Sequence, residues 1–217
     1  MRPGCGPPCS RTADRGVTKG SRERVRKWKR VETDQGPRFR STLAPHEAAL
    51  LRSLVSSVVG MLDDREASSP ADELEQITGM RTGNATPPDD ATMARLLPDF
   101  FRQQREHPAG SAVAESLNAA LRSLHEPEII DAKRESAQQL LESCPADGGK
   151  FELTEEQAGA WIAAVNDVRL SLGAMLQIGP EGPDRLPSEH PLAGHLDVYQ
   201  WLTVLQEYLV LALMGQM

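Results

Sequence analysis

Residues 154–175 read TEEQAGAWIAAVNDVRLSLGAM and form the most clearly patterned segment of this 217-residue chain. Thr154 is followed three residues later by Gln157, the spacing of a capping box in which each side chain bonds the other residue's backbone N–H. Apolar residues then recur at intervals of three or four, at Trp161, Val165, Val168, Leu172 and Met175. That interval is the period of an amphipathic helix, so the segment predicts a long helix with one buried side.

The same helical period recurs along most of the chain. Further helices are predicted over residues 46–63, 71–77, 90–97, 111–124, 129–141 and 196–214. The chain holds only three Trp, two Tyr and four Phe, and a composition poor in aromatic residues favours helices over sheets. The predicted fold class is therefore mainly α, a single multi-helix domain with a small N-terminal β-ribbon and a disordered N-terminal tail.

The helix predicted over residues 111–124 is followed closely by a proline, which tends to interrupt helices. Ser111 is placed to cap this helix, and its buried face is expected to hold Val113, Leu117, Leu121 and Leu124. Pro127 follows within the same helical pattern. Proline lacks a backbone N–H and its ring clashes with the preceding turn, so we expect a kink or a break there.

Charge is distributed very unevenly along the chain. The net charge is −7, but residues 1–40 carry twelve Lys or Arg against four Asp or Glu, whereas residues 41–217 carry twelve against 27. A basic arm on an acidic body predicts that the arm is attracted to nucleic acid and the body is repelled by it. The alternative is that the basic tail folds against its own acidic body.

The basic arm divides into a tail and a ribbon. Residues 1–22 are rich in Gly and Pro with little to bury, so they are predicted to be a disordered basic tail. Residues 23–43 predict a basic two-stranded ribbon around a turn at Gln35-Gly36-Pro37. Residues 44–217 are then the helical part, although Phe151 and Leu153 can add a short third strand beside the ribbon.

The candidate contact residues for DNA or a protein partner lie in and beside this ribbon. Phosphate contacts from basic side chains would supply most of the affinity for DNA, and they weaken as salt is added. The predicted contact residues are Arg22, Arg24, Arg26, Lys27, Trp28, Lys29, Arg30, Arg38 and Arg40.

Cys5 and Cys9 form a C-x-x-x-C pair within the tail. The intervening Gly6-Pro7-Pro8 can reverse the chain and bring the sulfurs together, and Arg2 and Arg11 would favour the reactive thiolates. Because the closed loop is small, the disulfide would contribute at most about 2 kcal/mol and would be easily reduced. These features suit a reversible redox switch, but two incidental cysteines remain the alternative. Cys144 is expected to be a packed residue instead.

Other kinds of site are not indicated by the sequence. The chain lacks the spacings of zinc ligands, of nucleotide-binding loops and of a nucleophile elbow, so we predict no metal site, no cofactor and no enzymatic activity. Neither a membrane span nor a secretory signal is recognisable, which predicts a cytoplasmic protein. Asn166, Asp167 and Arg169 interrupt the apolar stripe of the 154–175 helix and predict either a buried polar network or an interaction surface.

Four segments resemble one protein family. They are Trp28-Lys29-Arg30, Arg95-Leu96-Leu97-Pro98, WIAAVNDVRLSLG at 161–173 and VYQWLTVLQEYL at 198–209. Over about residues 25–215 the chain is similar to the actinomycete oxidative-stress regulator (AosR-like) family, an actinobacterial family of formerly unknown function encoded near the Clp-protease adaptor. The C-x-x-x-C start resembles its characterised branch. The resemblance implies a redox-responsive transcription regulator that acts with an alternative sigma factor, at RNA polymerase, on promoters of cysteine-biosynthesis genes.

Two functional hypotheses follow from the residues and the resemblance. In the first, oxidation joins Cys5 to Cys9 and changes how the basic arm contacts DNA or a polymerase-bound partner. In the second, the protein is a non-enzymatic adaptor module linked to proteolysis or transcription, which uses its acidic body while the cysteines are incidental.

Overall fold

A three-stranded sheet and a group of helices make up the structure, a computed structural model that describes residues 27–69, 79, 81–101, 112–183, 187 and 189–216. The strands are β1 (Lys29–Thr33), β2 (Gly36–Leu43) and β3 (Gly149–Leu153). The helices are α1 (Pro45–Ala67), α2 (Ala91–Leu96), α3 (Ala112–Ser143), α4 (Glu155–Met175) and α5 (Ala193–Leu213). This architecture confirms the mainly α fold class with a small sheet near the N-terminus.

Several predictions fall on residues that are not described. The tail at 1–22, the short helix at 71–77 and the capping role of Ser111 all lie outside the described ranges. Within those ranges, none of the helices combines the length and the apolar character needed to span a bilayer.

The sheet is antiparallel, with strand order β1-β2-β3. β1 and β2 form the predicted ribbon, and its tight turn is accommodated by Gly36 at a φ of +94°. β3 is the predicted third strand and pairs with β2, placing Leu153 opposite Phe39 and Glu152 opposite Arg40. Because alternate residues of a strand face opposite sides, one face of the sheet buries Phe39 and Leu153 in the core while the other carries Arg40 and Glu152.

Gly148 sets the approach of β3 to the sheet. Its φ is +71°, which favours glycine. A Cβ at this position would lie 2.7–2.9 Å from backbone atoms of Leu43, Ala44 and Pro45, where β2 leads into α1. The turn before β3 therefore works only with a residue that has no side chain.

Helix α4 occupies the centre of the helical layer. The predicted capping box is present: Thr154 Oγ1 accepts from the Gln157 backbone at 3.1 Å, and Gln157 Oε1 accepts from the Thr154 backbone at 3.0 Å. The predicted stripe is buried at Trp161, Val165, Val168 and Leu172. Met175 is 42% exposed because the stripe runs out of the core at the end of the helix.

Pro127 does not end its helix: of the predicted kink or break, the break is wrong, and the segments predicted at 111–124 and 129–141 belong to one helix. α3 runs from Ala112 to Ser143 with Pro127 inside it. Pro127 has no N–H to offer to the carbonyl of Ser123 one turn earlier, and that carbonyl accepts instead from the backbone N–H of Gly83 at 2.8 Å. A hydrogen bond from a distant loop thus repairs the helix at the point where proline would disrupt it.

The predicted buried face of α3 is also wrong. Val113, Leu117 and Leu124 are 78%, 42% and 53% exposed, and Leu121 is half-buried. The side that faces the core carries Arg122 and Glu126, which are 2% and 1% exposed. The two charged residues thus lie on the same buried side of α3 as Ile130, Ala137 and Leu140.

Arg122 and Glu126 belong to a buried chain of charges. Arg122 Nη1 donates to Glu126 at 2.8 Å, and Arg65 Nε of α1 donates to the same carboxylate at 2.7 Å. Arg122 also bonds the carbonyl of Leu97 at 3.1 Å and the carboxylate of Asp99 at 2.9 Å. Because each buried charge has an opposite charge or a carbonyl as its partner, the chain joins α1, α3 and the segment after α2.

The polar interruption of α4 is a structural network. Asp167 accepts from Lys133 Nζ of α3 at 2.6 Å, while Arg169 donates to Thr203 at 3.0 Å and to Gln206 of α5. Burial raises the pKa of Asp167, and the hydrogen bond from Lys133 opposes that shift. The network binds α4 to the helices on both of its sides.

We expect Gly83→Ala to destabilise the fold. The added Cβ would lie 2.9 Å from Cδ of Pro127, and overpacking of this kind costs about 1–3 kcal/mol. Gly60→Ala is the matched control, because a Cβ at this exposed position in α1 meets nothing within 4 Å and should stabilise the helix by roughly 1 kcal/mol. Urea unfolding followed by circular dichroism measures both, and equal effects would contradict the role of Gly83.

Lys133→Met should destabilise the protein in a pH-dependent way. The change leaves the Asp167 carboxylate buried without its cation, at a cost of about 3 kcal/mol near neutral pH. A buried carboxyl whose folded pKa is raised contributes stability at low pH that is lost as pH rises through that pKa. The destabilisation should therefore grow as the pH rises above about 4, the ordinary pKa of an aspartate.

The control is the double variant Lys133→Met with Asp167→Asn, which removes the charge from both partners and should recover most of the loss. A pH-independent cost in chemical denaturation of the single variant would contradict this account.

Candidate nucleic-acid interface

The solvent-facing side of the sheet gathers the basic residues of the ribbon. Lys29 is opposite Arg40 in the ladder, and Arg40 is opposite Glu152, so these three side chains form one row across the three strands. Arg38, opposite Val31, forms the next row on the same face. The structure therefore brings Lys29, Arg38 and Arg40 of the predicted set together.

Trp28 does not belong to this surface. It is 2% exposed, and its Nε1 donates to the carbonyl of Leu205 in α5 at 3.3 Å. Its ring packs edge-on against Phe151 and Trp161, with centroid distances of 5.4 and 5.7 Å. We therefore correct the expectation for this residue: its indole is packed in the core and is not available to DNA or a partner.

Lys27 and Arg30 contact the last helix. Arg30 Nη1 donates to the carbonyl of Leu213 at 3.0 Å, at the C-terminal end of α5, where the helix dipole favours a cation. Its Nε donates to Glu32 at 2.8 Å. Lys27 lies over the ring of Tyr208, with Nζ 6.0 Å from the centroid. Together with Trp28, these contacts attach the start of the described chain to α5.

Glu152 is a carboxylate among the cations, and sequence reasoning did not single it out. Arg40 Nε donates to it at 2.5 Å, and Arg38 Nε lies 3.6 Å from its other oxygen. The side chains of Arg40 and Glu152 are 53% and 38% exposed. The pair therefore contributes little to stability, but it holds both guanidinium groups toward β3.

An open groove connects this surface to the end of α5. Four cations from three separate stretches of the chain line it, Lys27, Lys29, Arg40 and Lys150, and Glu152 lies among them. Lys150 was also missed by the sequence analysis. The sequence does carry a signal for Lys150: with Phe151 and Leu153 on the buried face of a strand, residues 150 and 152 must lie on the other face. It does not show which strand pairs with β3, and so it does not place Lys150 beside the ribbon.

The remaining predicted residues lie elsewhere. Cys5, Cys9, Arg22, Arg24 and Arg26 fall outside the described residues. Cys144 is 3% exposed, as expected for a packed residue, and burial raises the pKa of its thiol despite the proximity of Arg52. In the described part of the chain, no cluster of three or more His, Cys, Asp or Glu side chains is placed to hold a metal ion.

Comparisons with known proteins place this chain among a set of close relatives. Residues 25–213 match the family described as "Domain of unknown function (DUF2017)". Proteins of Mycobacterium tuberculosis and Mycobacterium bovis named "Oxidative stress regulator AosR" are 64% identical to it over 218 residues, covering 99% of each chain. A Mycobacterium leprae relative is 60% identical over 99% of this chain and 100% of its own. No solved structure gives a significant match.

Trp28→Ala should destabilise the protein strongly, since deleting a buried indole typically costs about 3–5 kcal/mol. Trp28→Phe keeps a ring against Phe151 and Trp161 and should cost less. Lys29→Ala, one residue away on the exposed face, should change stability by no more than about 0.5 kcal/mol. Urea unfolding monitored by tryptophan fluorescence and by circular dichroism tests the set. A negligible cost for Trp28→Ala would mean that the indole is a surface contact after all.

Proposed function

Because the chain belongs to the DUF2017 family and its full-length relatives are oxidative stress regulators, we propose that it regulates the response to oxidative stress. The observation that carries the proposal is 64% identity across 99% of both chains. Similarity of that extent includes the N-terminal arm as well as the helical body. In this proposal, the protein is a transcription regulator without enzymatic activity, and it acts in the cytoplasm.

The proposed sensor is the Cys5–Cys9 pair. The chain has three cysteines, and the third, Cys144, is buried with a raised thiol pKa. Because the thiolate is the form that reacts with oxidants, Cys144 is the least reactive by this criterion. Hydrogen peroxide would convert one arm thiol, reacting as its thiolate, to a sulfenic acid with release of one water, and the second thiol would then displace a further water to form the disulfide. Two thiols and one peroxide thus give one disulfide and two waters.

The proposed output is contact with DNA and the transcription machinery. Lys29, Arg38 and Arg40, which belong to the ribbon of the basic arm, lie on one solvent-facing side of the sheet. This arrangement supports a role for the arm and the sheet in binding DNA, in company with an alternative sigma factor or RNA polymerase at promoters of cysteine-biosynthesis genes. Oxidation at the pair would change how the arm meets these partners.

One observation favours the alternative of a protein–protein adaptor with incidental cysteines. Val113, Leu117 and Leu124 form an exposed apolar line along α3. Exposed apolar patches often mark binding sites for other proteins. In this alternative, helix α3 and the acidic body contact the partner, and oxidants leave the activity unchanged.

Thiol trapping and mass spectrometry of the intact protein, before and after mild peroxide, separate the two functions. The regulator predicts that the peptide containing Cys5 and Cys9 loses the mass of two hydrogen atoms and regains it with a reductant. Cys5→Ser and Cys9→Ser should each abolish both this change and the oxidant response, whereas the matched control Cys144→Ser should retain them. A response that survives in both arm variants would leave the adaptor as the function.

A further inference from the structure

We infer that the groove between the sheet and the end of α5 binds the phosphodiester backbone of nucleic acid, and that Lys150 and Glu152 of β3 control this binding. The inference deepens the proposed function, on which it rests for the role of DNA. It adds to the N-terminal ribbon two residues that lie more than a hundred positions away in the sequence. It also assigns them opposite effects.

Charge is the first argument for the groove. Lys27, Lys29, Arg40 and Lys150 line it, against the single carboxylate of Glu152. Lys27, Lys29 and Lys150 are exposed and have no ion pair within the described part of the chain. A concave surface lined by charges of one sign concentrates oppositely charged ligands. This basic surface stands in contrast to residues 41–217, whose acidic residues outnumber the basic ones by 27 to twelve.

Shape favours a polymer over a small molecule. The groove is open to solvent along one side, whereas small-molecule pockets enclose most of their ligand's surface. Its cations follow the strands: Arg40 and Thr42 are successive on one face of β2, with Lys29 opposite Arg40 and Lys150 opposite Thr42. Neighbouring same-face positions are about 6.8 Å apart along a strand. An extended array of this kind suits a ligand with repeating negative charge.

The aromatic residues favour contact with phosphates over contact with bases. Trp28 lines the groove but is packed in the core, and Phe151 stacks on Trp161 with ring centroids 5.1 Å apart. Base stacking needs exposed ring faces, and of the aromatic residues here Tyr208 is already covered by Lys27. The cations of the groove would therefore contribute affinity and fix the position of the protein on the nucleic acid, without recognising its base sequence.

Glu152 opposes binding in this arrangement. It accepts from Arg40 and lies 3.6 Å from Arg38, so its negative charge offsets part of the attraction that the two guanidinium groups would exert on a phosphate. Glu152→Gln keeps the shape of the side chain and removes its charge, which should strengthen binding and steepen its dependence on salt. Lys150→Gln should do the reverse.

The experiment is a salt titration of binding by fluorescence anisotropy, with the full-length reduced protein and a labelled duplex oligonucleotide. Removal of one phosphate contact makes the slope of log affinity against log salt shallower by about 0.9. Raising the salt from about 50 to 200 mM should therefore weaken the binding of Lys150→Gln by a factor about 3.5-fold smaller than it does for the natural protein. For Glu152→Gln the weakening should be larger than for the natural protein, by about the same ratio.

Matched controls change the same charges elsewhere. Arg95→Gln alters an exposed cation on α2, and Glu135→Gln alters an exposed carboxylate on α3. Both are expected to leave the slope close to that of the natural protein. Urea unfolding of all four variants confirms that they remain folded, as expected for exposed positions.

The outcomes separate this inference from the proposed function. If the natural protein binds neither duplex nor single-stranded oligonucleotide, DNA contact and the groove are overturned together. If it binds but Lys150→Gln and Glu152→Gln behave like their controls, DNA contact stands and the groove is overturned. Unlabelled polyglutamate and unlabelled DNA are also compared as competitors at equal total charge. If polyglutamate displaces the labelled duplex as well as DNA does, the groove binds acidic protein surfaces and the nucleic-acid assignment is overturned.

Discussion

The contact between Trp28, Phe151 and Trp161 holds the sheet against the helices, and the rest of the structure depends on it. Phe151 stacks on Trp161 at 5.1 Å, and Trp28 meets both rings edge-on. The two indole N–H groups bond in different directions, Trp161 to Ser143 at the end of α3 and Trp28 to Leu205 in α5. Three rings from distant positions thereby unite the ribbon, β3, α3, α4 and α5, and they satisfy their polar atoms while buried.

Charged residues of this protein divide according to whether the fold gives them a partner. Arg65, Arg122 and Lys133 point inward and meet the carboxylates of Glu126 and Asp167. Buried charges persist only where such partners exist. Lys27, Lys29 and Lys150 face solvent and have no ion pair among the described residues, so they are available to an external anion. The same residue types thus serve stability on the inside and recognition on the outside.

The proposed sensor and the proposed binding groove are neighbours along the chain. Lys27 lines the groove, and Trp28 fixes the next residue to α5. The described chain therefore begins, at Lys27, on the edge of the groove, 18 positions after Cys9 in the sequence. In the proposed function, oxidation would close a loop between Cys5 and Cys9. That loop would change how the basic residues of the arm are positioned relative to the groove, while the groove itself stays the same.

The sequence by itself determined the local features of this protein. The 3.6-residue period and the Thr154 capping box specified α4, and Gln35-Gly36-Pro37 specified the turn of the ribbon, because both depend on residues close together in the chain. Only the tertiary structure decided the rest. Gly83 donates the hydrogen bond that Pro127 cannot provide, although the two residues are 44 positions apart. Arg122 rather than Leu124 faces the core, and Trp28 is buried. Lys150 lies with the basic residues of the ribbon. Each of these outcomes depends on a partner from a distant part of the chain. No local pattern of residues could identify that partner before the chain had folded.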